Sequence, residues 1–90
     1  MQQQNEAKTQ LLESLNEYFS RHENENNVLK TIIEKMIENP SKAVVSEREA
    51  AVLRKNGVQK ILHKVLKEIG FEYNTIVFTD DDANPYLQVT

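Results

Sequence analysis

The chain has 90 residues, 39% of them hydrophobic and 28% charged, with no cysteine and a formal net charge of −3. That length allows one small domain with a modest core. The missing cysteines exclude disulfides and thiolate metal sites, and the net charge excludes a chain that is basic throughout.

Met1 is followed by polar Gln2-Gln3-Gln4-Asn5, which carries no secretory signal, and no apolar run approaches the ~20 residues of a membrane span. A cytoplasmic protein without membrane contact is expected, with only its first few residues disordered. The first predicted element is a helix from about Glu6 to Arg21. Ala7, Leu11, Leu12, Leu15, Tyr18 and Phe19 fall on one stripe of it. The polar run His22 to Asn27 reads as a loop. Residues 1–25 thus form an N-terminal helical unit, and residues 26–90 form the main body.

A second helix is expected from about Asn26 to Glu38. Val28, Leu29, Ile32, Ile33, Met36 and Ile37 recur in pairs every four residues, which predicts the central core helix. Asn39-Pro40 stops it, because a residue before proline is driven out of the α region. Ala43-Val44-Val45 reads as a short strand. Ser46-Glu47-Arg48-Glu49 matches a capping box, with serine and glutamate each bonding the other's backbone amide. A third helix therefore starts at Ser46, turns Ala50, Ala51 and Leu53 inward, and ends at Asn56-Gly57. A fourth is expected over Val58 to Ile69, with Val58, Ile61, Leu62, Val65, Leu66 and Ile69 inward. Gly70 closes it. Phe71 to Thr79 and Tyr86 to Thr90 are rich in aromatic and β-branched residues. Asp80-Asp81-Asp82-Ala83-Asn84-Pro85 between them reads as the six-residue loop of a hairpin. The fold class is mainly α with a C-terminal β-hairpin (α+β).

Charge is unevenly spread. Residues 1–39 carry −3, residues 40–67 carry +5 and residues 68–90 carry −5. A basic stripe on a short helical pair is the electrostatic footprint of phosphate binding. Lysines on an exposed face also serve plain solubility.

The order helix, short strand, helix, tight turn, helix, hairpin resembles a winged helix-turn-helix domain with an extra N-terminal helix. Ala43-Val44-Val45 would be its first strand, Ser46 to Lys55 its positioning helix, Val58 to Ile69 its recognition helix and Phe71 to Thr90 its wing. The resemblance implies a DNA-binding transcriptional regulator whose recognition helix enters the major groove of double-stranded DNA. By position, Gln59, Lys60, His63, Lys64 and Lys67 would face the groove. Arg48, Arg54 and Lys55 would hold phosphates. Two features depart from the pattern. His63 stands where an apolar residue is expected, six positions after the turn glycine. Asp80, Asp81 and Asp82 crowd the wing tip, where carboxylates facing phosphate repel.

The N-terminal stripe (Leu11, Leu12, Leu15, Tyr18 and Phe19) can pack on its own domain or pair with a second copy in a homodimer. A protein-binding module or inhibitor, such as a phage- or plasmid-encoded regulator, is the alternative function. It would use the acidic hairpin at Asp80, Asp81 and Asp82 together with the N-terminal helix. Little points to an enzyme, a metal or a cofactor. His22 and His63 lack a second ligand at metal spacing. The aspartate run lacks the spacing, glycine and distal glutamate of a calcium loop and is expected to cap its own backbone amides. Gly57 and Gly70 sit singly at helix ends rather than in a phosphate loop.

Overall fold

The computed structural model describes residues 2–22, 24 and 26–90, with side chains from Glu6 onward. Helix α1 spans Gln2–Arg21. It starts earlier than expected, and residues 2–5 extend it instead of being disordered. Glutamine is a good helix former, and extending an existing helix is far easier than nucleating one. Glu23 and Glu25 of the expected polar loop lie outside the described residues. Asn26 then caps α2 (Asn27–Glu38), its side-chain oxygen accepting from the Val28 amide at 2.9 Å.

Helix α2 is the centre of the core, with Leu29, Ile32, Ile33, Met36 and Ile37 all buried. Leu15 and Phe19 of α1 join that core, while Leu11, Leu12 and Tyr18 are half-buried against it. The N-terminal stripe is therefore used within the chain. Leu15 has no exposed surface, so the part of the stripe that could still meet a second copy is the half-buried Leu11, Leu12 and Tyr18.

Strand β1 (Ala43–Val44) leads into α3 (Glu47–Leu53) through the expected cap. Ser46 Oγ accepts from the Glu49 amide at 3.2 Å, and Glu49 Oε1 accepts from the Ser46 amide at 2.8 Å. Helix α3 stops at Leu53. Ala50 and Leu53 are buried but Ala51 is exposed, because one step along a helix rotates a side chain by about 100°. Gly57, at φ 84°, makes the left-handed turn into α4 (Val58–Glu68).

Helix α4 buries Leu62, Val65 and Leu66, with Ile69 just beyond its end. Ile61, expected inside, is 41% exposed. It lies about 90° from the centre of the buried stripe, just past its edge.

Strands β2 (Ile76–Thr79) and β3 (Tyr86–Val89) flank the expected six-residue loop. β2 is shorter than predicted. The chain leaves α4 through Gly70 at φ 85°, and Phe71 to Thr75 run as irregular backbone from the end of α4 to the sheet. The three strands form an antiparallel sheet of order β1-β3-β2, with Ala43 opposite Leu87 and Phe78 opposite Leu87 on the other side. Its inner face sets Ala43, Leu87 and Val89 on the core, and Val44, Val77 and Gln88 face outward. The described residues form a small α+β fold of four helices and a three-stranded sheet. No described helix is long and apolar enough to cross a membrane.

Candidate nucleic-acid interface

The burial of Leu62, Val65 and Leu66 fixes which face α4 turns outward. Lys60, Lys64 and Lys67 lie close to 180° from that stripe, and all three are exposed, as is Gln59 in the first turn. Lys60 and Lys64 have no ion pair among the described residues. Arg48 on α3 and Lys55 in the following turn are exposed as well. Six of the eight residues expected to meet DNA are thus on the surface and not engaged in a salt bridge with any described carboxylate.

The other two are engaged. His63 is half-buried, and its Nδ1 lies 2.8 Å from the Tyr73 hydroxyl. It sits on the flank of α4 that meets the irregular segment after Gly70, next to Lys67 at the edge of the lysine face. An open cleft of about 770 Å³ lies there, lined by His63, Lys67, Phe71, Tyr73 and neighbours.

Arg54, the C-cap of α3, is held by the hairpin. Its Nε donates to Asp80 Oδ2 at 2.8 Å, and a terminal nitrogen donates to Asp80 Oδ1 at 2.6 Å. Those hydrogen bonds from Arg54 hold the Asp80 carboxyl below its usual range. In return Asp80 raises the guanidinium above its own, with Asp82 and Glu47 adding attraction. Arg54 and Asp80 line an open cleft of about 500 Å³ together with Lys55, Gln59, Lys60 and Phe78.

The aspartates after β2 therefore have distinct roles. Asp80 binds Arg54. Asp81 caps its own loop, accepting from the Ala83 amide at 2.9 Å, as the composition of the turn predicts. Asp82 is exposed near Arg54. Among the described residues no three histidine, cysteine or acidic side chains converge as a metal site.

The Arg54–Asp80 pair and the His63–Tyr73 contact escaped the sequence reading. They join residues 26 and 10 positions apart, and no periodicity reports on a contact made between separate elements. No protein-family model matches the chain, and neither a curated protein nor a solved structure matches it.

Proposed function

We propose that this chain is a double-stranded DNA-binding regulator of winged helix-turn-helix type, with α4 laid in the major groove. The observation that carries the reading is the outward face of α4. Lys60, Lys64 and Lys67 stand exposed there, with Gln59 exposed on the flank of the first turn, beside a hairpin in a sheet of order β1-β3-β2. A helix is the element that a major groove admits, and residues near its N-terminus read base edges. Gln59 matches adenine and Lys60 matches guanine. Arg48 and Lys55 supply phosphate contacts that set register. The local charge of +5 over residues 40–67 provides the attraction that the overall charge of −3 does not.

Binding to a protein through the aspartate run is less well supported. Asp80 is committed to Arg54 and Asp81 to its own loop, which leaves Asp82 as the free carboxylate of the three.

Fluorescence anisotropy with a random-sequence duplex tests the proposal. Binding is expected at low salt and should weaken as a power of salt concentration, because neutralised phosphates release counterions. Lys60→Glu with Lys64→Glu should abolish binding while leaving the fold intact. A double variant that binds as tightly as the parent, or a parent that binds no duplex at low salt, removes the proposal.

A further inference from the structure

Arg54 lies beside the surface that the DNA-binding reading assigns to the duplex, yet it is already occupied. Its two hydrogen bonds to Asp80, at 2.8 and 2.6 Å, form the paired geometry by which a guanidinium grips carboxylates and phosphates alike. Asp80 is the first residue after β2, so the sheet fixes where its carboxylate stands. Lys55, Gln59 and Lys60 line the same cleft. The carboxylate therefore sits where a backbone phosphate would complete a cationic cluster. Both side chains are close to half exposed, at 45% and 43%. Water and salt weaken such a pair, so a dense polyanion can displace one partner.

The geometry points to an autoinhibitory latch. Asp80 acts as an internal phosphate mimic, holding Arg54 and the hairpin loop together and lowering duplex affinity until a backbone phosphate takes Arg54 over. This rests on the DNA-binding reading above. The exchange carries two costs. Freed Asp80 faces the incoming phosphate with Asp82 close by, and like charges repel. The freed carboxylate also gathers a cation of its own, which offsets the counterion released by the new Arg54–phosphate contact.

The test compares the parent with Asp80→Asn, Asp81→Asn and Arg54→Gln, and with Asp80→Asn combined with Arg54→Gln. Each is titrated onto one random-sequence duplex across a salt series. Asp81→Asn removes the same charge from the same loop without touching Arg54, and asparagine can still cap the turn. Asp80→Asn should bind severalfold tighter than both the parent and Asp81→Asn. Its log–log salt slope should steepen by about 0.9, the worth of one more neutralised phosphate. Both gains should vanish when Arg54→Gln is added. If Asp80→Asn and Asp81→Asn gain equally, the wing acts by general repulsion and the latch is wrong. If Asp80→Asn binds like the parent, the latch is wrong and the DNA-binding reading stands. If no protein in the series binds duplex, both are wrong.

Discussion

At the N-terminal end of α3, Lys35 Nζ donates to Glu49 Oε1 at 2.6 Å, and the glutamate side chain is only 9% exposed. At the C-terminal end Arg54 meets Asp80 at the same 2.6 Å, with both side chains over 40% exposed. Distance is the same, and setting differs. Glu49 is the buried charged residue among the described residues. It joins α2 to α3 and also closes the cap by accepting from the Ser46 amide. Burial alone pushes its carboxyl up, and the Lys35 ammonium and the Ser46 amide together outweigh that, so its pKa is lowered. Removing either partner there strands a charge or a backbone donor. Removing either partner at the other end returns the remaining one to water. One short helix thus carries a structural ion pair at its start and an expendable one at its finish.

The largest effect expected along α3 belongs to neither pair. Leu53, next to Arg54, is 1% exposed. Leu53→Ala should cost about 2–5 kcal/mol, from lost burial and the cavity left behind. Chemical denaturation measures it. A cost well under 1 kcal/mol would show that this end of α3 is not anchored by its apolar face, and the contrast between the two ends would lose its basis.

Next comes Glu49. Glu49→Ala should cost about 2–3 kcal/mol, the sum of a lost cap and a broken ion pair. The figure falls below the full penalty for a buried pair because the Lys35 side chain is 37% exposed. The sign with pH follows from the lowered pKa. A carboxylate that ionises more readily when folded adds stability above the ordinary glutamate value, about 4.3. That contribution disappears as pH falls through the lower folded value. Glu49→Gln keeps a capping side chain but cannot titrate. Its deficit against the parent should therefore shrink between about pH 5 and pH 3. A deficit constant across that range would mean that the charge on Glu49 contributes nothing.

These contrasts differ in how far they could be read from the amino-acid order. The Ser46–Glu49 cap was legible because it is a local motif with fixed spacing. The turn at Gly57, the core stripe of α2 and the capping by Asp81 were legible for the same reason. Each is decided within a few residues. The Lys35 to Glu49 contact was not, since it depends on how two helices cross. Arg54 was assigned to phosphate by its position in the helix-turn-helix resemblance, and its partner Asp80 lies 26 residues on. Ile61 fitted an uninterrupted apolar pattern, yet a helix of 11 residues packed on one side buries only the middle of such a stripe. His63, which stands where the helix-turn-helix pattern expects an apolar residue, has Tyr73 as its partner.

The smallest expected effect is the most informative about α3. Arg54→Gln should leave the melting temperature close to that of the parent, in low salt and in 1 M salt alike. Exposed pairs gain little over solvation, and ordering two side chains offsets most of that. At 1 M salt the screening length falls to about 3 Å, so any residual attraction is removed in the parent as well. Circular dichroism melts of both proteins at the two salt concentrations suffice. A large drop on Arg54→Gln that high salt reproduces in the parent would make the hairpin's hold on α3 part of the fold. In that case Asp80 could not release Arg54 to a phosphate without loosening the domain. A melt indifferent to the substitution leaves Arg54 free to change partners, which is the condition a surface needs if it is to exchange an internal carboxylate for an external polyanion.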